Sequence, residues 1–383
     1  MKKALVVCHM GRHYRKFGHY DIKLLQKLDY EVHFAANFDL DIDKVEDNTI
    51  VKYQINFNRF PFSFKNYTAY KQLKKVILDN DYDIIHCQSP VGGVLTRLIA
   101  IKNRKKMKRI IYTAHGFHFY KGSSIINWLL FYPIEKLLAK YTDTLITINK
   151  EDYQLAQKKF SKRCKDIQYM PGIGIDIEKY KFNSNDCKLI ELKRSIGLDD
   201  NDFVLIYVAR LEKNKNQMFL IKCMKKLEKN NKKIHLLLVG QDGMSGSYNK
   251  YVKKNQIHNI HFLGFRNDIV NLLKISDLAV SASFREGLPL NIMEAMASGL
   301  PVIALKCRGV NDLIINNKNG FIIKDENEFI SKVFLLKDNI VLYNKMKQNN
   351  INDIVNYDIT NTENKFTNIL NNKLRRKKWK KIK

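Results

Sequence analysis

Short apolar runs alternate with helix-sized segments along almost the whole chain. Parallel strands need long, usually helical crossovers, so this alternation predicts an α/β fold with doubly wound parallel sheets. The predicted strands of the first half are Ala4–Cys8, Glu31–Ala36, Thr49–Ile55, Ile84–Cys87, Arg109–Thr113, Thr144–Ile148 and Ile167–Met170. The helix-sized segments between them include Tyr20–Leu28, Tyr67–Asp79, Gly93–Ile101 and Ile125–Lys140.

The alternation pauses near residue 172 and restarts after the hydrophilic segment Asn183–Leu198. The predicted strands that follow are Phe203–Val208, Ile234–Val239, Ile260–Leu263, Leu278–Ala282, Val302–Leu305 and Phe321–Ile323. We therefore predict two Rossmann-like domains, 1–172 and 173–356, followed by a C-terminal segment, 357–383. That segment is expected to hold a helix that crosses back to the first domain and a basic tail. Ligands of open α/β sheets bind at the carboxyl ends of the strands, so we expect function in strand-end loops facing an interdomain cleft.

The chain carries a formal net charge of +29 over 383 residues. This excess predicts an anionic partner, which could be nucleic acid, an anionic membrane surface or a phosphorylated substrate. The 6 cysteines show no metal-binding or redox spacing, which is typical of reduced, buried thiols in a cytoplasmic protein. The first apolar run is too short for a signal peptide, and none approaches the roughly 18 residues of a transmembrane helix.

The stretch Ser281–Leu305 reads as strand, loop, helix and strand. Pro289 suits the first helical position, and Gly299 suits a left-handed C-terminal cap. Glu286 lies in the loop just before the helix, and Glu294 lies on the helix itself. Carboxylates can accept hydrogen bonds from sugar hydroxyls, and a helix N-terminus favours anions. This stretch therefore suits a ligand in which a sugar is joined to a phosphate.

The loop after the predicted strand Phe203–Val208 carries Arg210 and Lys215. Both side chains could converge on a diphosphate, Arg as a planar fork and Lys as a point charge. Gly240 and Gly264, at two further strand ends, allow close backbone approach to a ligand. The chain has no GxGxxG fingerprint and no GxxxxGK[ST] loop, which disfavours a nicotinamide enzyme or an ATPase.

His115 and His118 flank Phe117 at the mouth of the predicted first domain. These histidines suit hydrogen bonding to a sugar or its phosphate, or acid–base work near neutral pH. No Asp-x-Asp occurs in a plausible metal-binding loop, and the spacing within Asp39–Asp43 lies in ordinary loop sequence. We therefore predict no catalytic metal and no cofactor.

A basic run, Arg97–Arg109, precedes the amphipathic segment Ile125–Leu138. Three aromatic residues lie on that segment, Trp128, Phe131 and Tyr132. Basic and aromatic side chains together are typical of a face that docks on anionic lipid headgroups, but the aromatic rings could equally pack in the core. The tail 374–383, with seven basic residues in ten, is either a solvated tail or a second membrane contact.

Several motifs together resemble a known family. Arg210-x4-Lys215, Gly264–Phe265 and the Glu286-x7-Glu294 pair within EGLPLNIMEAMASGLPVIA resemble the retaining GT-B-fold glycosyltransferases of family 4. Three first-half motifs resemble the branch that builds bacterial capsule, exopolysaccharide and O-antigen repeat units: YTAHGFHFYKG (112–122), TDTLITINKED (142–152) and HCQSPVGG (86–93). The resemblance covers about residues 3–370.

The resemblance implies roles for individual residues. Glu286 would lie at the donor sugar and the reacting centre, and Glu294 would hold the ribose hydroxyls of the nucleotide. Arg210 and Lys215 would neutralise the departing diphosphate, and His115 would be the catalytic histidine of the first domain, with His118 as its alternative. Further donor contacts would come from Gly240, Phe265, Arg266, Gly287, Leu288, Pro289 and Leu290. No metal ion is implied.

The chain departs from the family in the loop after the first strand. Many members have a glycine-rich loop there, whereas this chain has HMGRHYRKFG (9–18) with only two glycines. Arg12, His13 or Arg15 could instead bind an acceptor pyrophosphate, with His118 also on the acceptor side.

The predicted activity is transfer, with retention, of a hexose or N-acetylhexosamine from a nucleotide diphosphate sugar to a lipid-linked saccharide in cell-surface polysaccharide biosynthesis. A UDP-sugar is the expected donor, and the enzyme is expected to be cytoplasmic and peripheral on an anionic inner membrane face. The alternatives are a UDP-sugar epimerase of the same architecture and a basic nucleic-acid-binding protein.

Overall fold

The chain leaves its first folded unit at Ile173 and returns to it at Thr362, and residues 174–361 form a second unit. The computed structural model describes residues 1–11, 13–14, 19–39, 47–61, 63–164, 166–181 and 187–372. The predicted boundary at residue 172 lies one residue before the observed exit from the first unit.

The described strands of the first unit form a parallel sheet in the order β3-β2-β1-β4-β5-β6-β7. They are β1 Lys2–Val7, β2 Tyr30–Ala36, β3 Val51–Gln54, β4 Ile84–Cys87, β5 Ile110–Ala114, β6 Thr144–Thr147 and β7 Asp166–Tyr169. The connecting helices are α1 His19–Lys27, α2 Lys65–Asp79, α3 Pro90–Asn103, α4 Ile125–Leu138 and α5 Lys150–Phe160.

The described strands of the second unit form a parallel sheet in the order β10-β9-β8-β11-β12-β13. They are β8 Phe203–Val208, β9 Ile234–Val239, β10 Ile260–Gly264, β11 Leu278–Ser281, β12 Val302–Leu305 and β13 Gly320–Ile323. The helices are α6 Cys187–Ser195, α7 Gln217–Asn230, α8 Ser247–Lys254, α9 Ile269–Lys274, α10 Leu290–Ala297, α11 Val310–Leu313, α12 Glu326–Asp338 and α13 Ile340–Ile354. The predicted class, two doubly wound parallel sheets, is confirmed.

The central strands are near-continuous apolar runs because helices cover both faces of each sheet, whereas the edge strand β3 (VKYQ) is largely exposed. Each sheet has a switch point, where successive connections leave in opposite directions: between β1 and β4 in the first unit, and between β8 and β11 in the second. In such sheets the ligand-binding crevice opens at the carboxyl ends of the strands beside the switch point. We therefore expect a ligand-binding site in the loops after β1 and β4, and another in the loops after β8 and β11.

The last helix, α14 (Ile359–Asn371), packs on the first unit through Phe366, Ile369 and Leu370, which are buried. Arg109 donates to the main-chain oxygens of Ile369 and Leu370 at 2.6 Å each, satisfying carbonyls that the helix end leaves without partners. The helix predicted within the segment 357–383 thus begins at Ile359. The basic tail 374–383 lies outside the described residues.

The helix α10 begins at Leu290, so the prediction that Pro289 occupies the first helical position is wrong by one residue. Pro289 is the N-cap instead, because its ψ of 109° is extended rather than helical. The C-terminal prediction is confirmed, since Gly299 has φ 77°. A Schellman pair closes the helix: Gly299 N–H donates to Met296 O, and Leu300 N–H donates to Ala295 O, each at 2.9 Å.

The basic run Arg97–Arg109 is not the exposed lipid-facing strip that the sequence suggested. Arg97 is buried, forms an ion pair with Glu135 of α4 at 2.8 Å, and lies over the Tyr112 ring at 4.0 Å. Its Nε also donates to the main-chain oxygen of Gly93. This arginine therefore fixes α4 against α3 inside the first unit.

Other members of that run also have internal contacts. Arg104 pairs with Asp143, and Lys108 contacts both Asp81 and Asp83 at 3.0 Å. Lys108 is itself exposed, and so are three further lysines of the run, Lys102, Lys105 and Lys106. Charge that looks continuous in the sequence is thus divided between structural ion pairs and a smaller exposed group.

The aromatic residues of α4 pack against the core, so the core alternative is confirmed for them. Trp128 donates from Nε1 to the Tyr120 main-chain oxygen at 3.3 Å, and Tyr132 stacks on Phe160. The exposed face of the same helix is aliphatic, formed by Ile125, Ile126, Leu129, Leu130 and Leu137. Within the part of the chain that the structure describes, no helix combines the length and apolar content needed to cross a membrane.

Candidate active site

Lys215 and Glu286 meet at the switch point of the second sheet. Lys215 comes from the turn after β8, Glu286 from the loop after β11, and Lys215 Nζ lies 2.5 Å from Glu286 Oε1. The side chains are 21% and 12% exposed, so each charge is partly withdrawn from water and compensated by the other. The two residues were predicted separately from the sequence, and the structure brings them into contact.

Hydrogen bonds fasten the two loops to each other. The Tyr207 hydroxyl donates to the Lys215 main-chain oxygen at 3.1 Å and lies 2.7 Å from Ser283 Oγ. Asn214 donates from Nδ2 to the main-chain oxygen of Arg285 at 3.0 Å. Lys215 and Glu286 therefore lie on two strand-end loops that hydrogen bonds hold together.

Arg210 is exposed, and its side chain lies beside Gly243, whereas that of Lys215 contacts Glu286. The main-chain oxygen of Arg210 accepts from Nε2 of the buried Gln217 at 2.9 Å. Its guanidinium lies over Gly243, where an added Cβ would come within 3.0 Å of Nε. The structure thus places Arg210 at the carboxyl end of β8, as predicted, and along the loop that follows β9.

Glu294 of α10 is largely withdrawn from solvent. Burial raises the pKa of its carboxyl group, and a hydrogen bond from the Tyr180 hydroxyl to Oε1, at 3.0 Å, acts in the opposite direction. Sequence reasoning missed Tyr180, which lies in the short 3-10 turn Ile177–Tyr180 next to α10. Tyr180 satisfies one oxygen of the carboxylate that the resemblance assigns to the ribose.

Arg308 and Gly309 support the loop that carries Glu286. Arg308 is buried and donates from Nε to the Glu286 main-chain oxygen at 3.2 Å. Gly309 has φ 81°, and a Cβ there would lie 2.3 Å from the Gly287 oxygen, so only glycine fits. The sequence analysis missed both residues. They follow the carboxyl end of the predicted strand Val302–Leu305, which is where site residues of such sheets are expected.

The two strand-end glycines serve different purposes. Gly240 has φ 152°, and a Cβ there would lie 2.2 Å from the main-chain oxygen of Ala209. The missing side chain of Gly240 therefore accommodates the neighbouring loop, which corrects the interpretation that it makes room for a ligand. Gly264 has φ 63° with open space around it, so the backbone conformation alone requires glycine there.

The remaining residues predicted to contact the donor differ in how exposed they are and in whether they already have a partner. Phe265 is exposed, and its ring is open to stacking. Arg266 instead pairs with Asp268, with Nε 2.7 Å from Oδ1, and this contact lowers the Asp268 pKa. Arg266 is therefore already engaged in a local ion pair. Among the residues around the start of α10, Gly287 and Leu288 are partly buried, Pro289 is buried and Leu290 is exposed.

In the first unit, His13 and His115 meet at the carboxyl edge of the sheet, with ring centroids 5.4 Å apart. Burial, together with the neighbouring His13 and His86, lowers the pKa of His115 to about 3. A neutral imidazole at physiological pH favours the hydrogen-bonding alternative for His115 over acid–base work near neutrality.

His118 stacks on Phe131 of α4, with ring centroids 4.6 Å apart. The loop between these histidines is fixed by Asp152 of α5, which is fully buried and accepts from the Phe117 N–H at 3.1 Å. The motif 142–152 therefore supplies part of the scaffold of the histidine loop. Arg12 and Arg15 lie outside the described residues.

Family models match both halves of the chain. Residues 4–149 match a model described as glycosyl transferase 4-like, and residues 190–353 match glycosyl transferases group 1. The chain is 39% identical to EpsD of Bacillus subtilis (strain 168), over 84% of each protein. It is 34% identical to the UDP-Gal:alpha-D-GlcNAc-diphosphoundecaprenol alpha-1,3-galactosyltransferase of Escherichia coli, over 76% of this chain and 74% of the relative.

The solved structure of Anabaena HepE in complex with UDP and glucose shares the fold. It superposes with a TM-score of 0.77 at 19% identity, covering 97% of this chain and 99% of that one. Sequence relatives and fold agree with the main prediction over the epimerase and nucleic-acid alternatives. The chain belongs to the family 4 glycosyltransferases, the retaining enzymes of the GT-B fold.

Proposed function

We propose that this glycosyltransferase moves a hexose or N-acetylhexosamine from a UDP-sugar to a lipid-linked saccharide during synthesis of a cell-surface polysaccharide. The observation that carries the proposal is the Lys215–Glu286 contact at the switch point of the second sheet. The galactosyltransferase relative, which is named for a UDP-sugar donor and a diphosphate-linked lipid acceptor, supports the donor and acceptor classes.

In this proposal the second unit binds the donor. Lys215 and Arg210 stabilise the negative charge that develops on the departing diphosphate, which is the largest electrostatic demand of the reaction. Glu286, held beside Lys215, binds the donor sugar, and Glu294 binds the ribose with the oxygen that Tyr180 does not occupy. Because cationic side chains supply the compensating charge, we expect transfer to continue in the presence of EDTA.

A panel of nucleotide sugars tests the donor class. The full-length protein would be heated with each UDP-, GDP- and dTDP-sugar, and the melting temperature compared with that of the free protein. Ligands that bind the folded state raise it. We expect a UDP-sugar to stabilise the protein and to be consumed only when a lipid-diphosphate saccharide is added. Conversion of a UDP-sugar with no acceptor present would instead identify an epimerase.

We further infer that the enzyme is cytoplasmic and docks on an anionic membrane surface through α4. Its exposed apolar residues recur along one side of the helix, with Ile125, Ile126 and Leu129 76%, 65% and 70% exposed. The opposite side holds the Arg97–Glu135 pair that fixes the helix to the unit. A rigidly held helix with an exposed aliphatic side suits insertion at the lipid headgroup boundary.

Charge favours an anionic bilayer as the occupant of this face. Exposed lysines lie just before α4, at Lys121, and within its last turns, at Lys136. Lys102, Lys105 and Lys106 add positive charge at the end of the preceding helix α3. Each basic residue near an anionic surface contributes about 1 kcal/mol to binding. Such docking would bring the first unit to lipid-linked acceptors.

Sedimentation with vesicles tests this surface. The double variant Ile126→Asp/Leu129→Asp should bind vesicles containing phosphatidylglycerol at least tenfold more weakly than the natural protein. Each aliphatic side chain contributes about 1.5–3 kcal/mol when withdrawn from water, and about 1.4 kcal/mol corresponds to tenfold in affinity. A matched control is Ile340→Asp/Val341→Asp in the second unit, where the side chains are 65% and 77% exposed. Equal losses in both double variants would refute docking through α4.

A further inference from the structure

An exposed aromatic residue belongs to the same loop as Glu286. Phe284 lies after β11, two residues before Glu286, and is 64% exposed. The preceding residue, Ser283, is buried, and its Oγ lies 2.7 Å from the Tyr207 hydroxyl. The loop therefore buries its small polar side chain and leaves its large apolar side chain in water.

Asn214 fixes the backbone on both sides of this ring. The N–H of Phe284 donates to the main-chain oxygen of Asn214 at 2.9 Å. The side chain of Asn214 donates from Nδ2 to the main-chain oxygen of Arg285 at 3.0 Å. Because Asn214 directly precedes Lys215, these bonds tie Phe284 to the turn that carries the lysine. A backbone that is already fixed loses little conformational entropy when a ligand packs against its side chain.

Single exposed apolar side chains are common on protein surfaces, so exposure alone assigns no role to Phe284. Its place in the sheet is more informative. Phe265, which is 75% exposed, follows β10, whereas Arg210 and Lys215 follow β8. Phe284 follows β11, and the strands lie in the order β10-β9-β8-β11. Along this edge of the sheet the two cations therefore lie between the two exposed rings.

A nucleoside diphosphate sugar carries its groups in a matching order, with the diphosphate between the base and the sugar. Bases stack on aromatic side chains, and Phe265 offers such a ring at one end of the row. With the diphosphate at Arg210 and Lys215, the transferred sugar falls at the carboxyl end of β11, where Phe284 lies. This placement rests on the proposed function, which makes a UDP-sugar the donor.

The chemistry of a phenyl ring selects among sugars. The face of the ring is its negative side, so it attracts the weakly positive hydrogens of C–H bonds. In a hexose of gluco configuration, the C–H bonds of the sugar ring point alternately to its two faces. In the galacto configuration the hydroxyl group at C4 is axial, and the C–H bonds of C3, C4 and C5 gather on the opposite face. That face is a continuous apolar patch.

We propose that Phe284 is a specificity-determining residue, whose exposed ring, fixed two residues before Glu286, packs on the transferred sugar and selects a donor of galacto configuration. The hydroxyl groups at the rim of the sugar then remain available to Glu286, since a carboxylate accepts hydrogen bonds from them. The substituent at C2 is equatorial in both hexoses and N-acetylhexosamines of this series, so either class satisfies the contact.

Calorimetry of the full-length protein tests the contact by comparing three ligands: UDP, UDP-galactose and its C4 epimer UDP-glucose. The natural protein should bind UDP-galactose more tightly than UDP-glucose. Phe284→Leu keeps an apolar side chain but removes the flat ring, so it should weaken UDP-galactose about three- to tenfold and bring the two epimers together. Its Kd for UDP should not change, which also reports that the variant is folded. The N-acetylated epimer pair would be compared in the same way.

Two further variants make the comparison specific. Phe265→Leu removes the other exposed ring of the same unit and should weaken UDP and both UDP-sugars by one common factor, because its contact is with the base. Phe284→Tyr keeps the flat ring and should retain the preference for the galacto epimers. Phe284→Gln removes the ring with a polar side chain and replaces Phe284→Leu if that variant does not fold.

Three results would overturn the assignment while leaving the proposed transfer intact. They are a preference of the natural protein for the gluco epimers, an unchanged UDP-galactose affinity in Phe284→Leu, and an equal loss for UDP and UDP-galactose in that variant. The last result would place the ring on the nucleotide. Failure of the natural protein to bind any UDP-sugar would instead refute the proposed function, and the role of Phe284 with it.

Discussion

Partly buried charged side chains in this molecule differ in the groups that compensate their charge. Lys215 and Glu286 compensate each other at 2.5 Å, so removal of one leaves the other partly buried and unpaired. The Asp21 side chain is likewise 12% exposed, and burial raises the pKa of its carboxyl group. In the proposed reaction Lys215 would offer its charge to the donor diphosphate, whereas the Asp21 carboxyl group lies beside the uncharged amide of Gln88.

The raised pKa of Asp21 predicts a pH effect on folding. Unfolded Asp21 loses its proton at its ordinary value of 3.8 and folded Asp21 at about 7, so folding becomes less favourable as pH rises between these values. Asp21→Asn removes this penalty. Its free energy of unfolding, relative to that of the natural protein, should increase from pH 5 to pH 8, as measured by urea titration of the circular dichroism.

Glu31→Gln should show the opposite slope. The hydrogen bond with His33, with help from Lys3, lowers the pKa of Glu31, so its contribution is present above its ordinary pKa and is lost as pH falls below it. The variant should therefore lose stability, relative to the natural protein, mainly at neutral and higher pH. A pH-independent difference for Asp21→Asn would contradict the buried-charge account.

At the scale of elements, α4 is the most informative helix. Its inner side carries Glu135, which holds the buried Arg97 of α3, and its outer side is aliphatic and exposed. A partner removed from a buried pair leaves an uncompensated charge, whereas apolar replacement of both partners avoids that cost. The pair therefore determines where α4 lies.

Arg97→Met and Glu135→Leu should each destabilise the first unit by about 3–5 kcal/mol. The double variant should recover most of this loss, because no charge is left buried. Urea unfolding followed through Trp128, which packs in the same unit, reports the effect. Additive losses in the double variant would show that the ion pair is not what fixes α4.

Local patterns predicted the strands, the two units and the Gly299 cap, because these depend on the spacing of apolar residues and on backbone conformation. Long-range pairing escaped prediction. Nothing local in the basic run separates the buried Arg97 from the exposed Lys102. Tyr180 meets Glu294 across 114 positions, and Asp21 meets Gln88 across 67. The predicted site thus named charged residues but not the residues that hold them in place.

At the scale of the whole molecule, each unit presents its candidate site residues at the carboxyl ends of the strands of its own sheet. The second unit presents Lys215 and Glu286 there, and the first presents His13 and His115. The chain returns to the first unit through α14, where Arg109 holds the end of the helix. We therefore propose that the second sheet carries the donor chemistry and that the first recognises the acceptor.

The central claim is that Lys215 supplies positive charge to the departing diphosphate, and one comparison tests it directly. The transfer rate at saturating UDP-sugar and lipid-linked acceptor would be measured for Lys215→Met and for Lys213→Met, an exposed lysine of the same turn. The account predicts a rate loss of about two to three orders of magnitude for Lys215→Met and almost none for Lys213→Met. Full turnover by a folded Lys215→Met variant would contradict it.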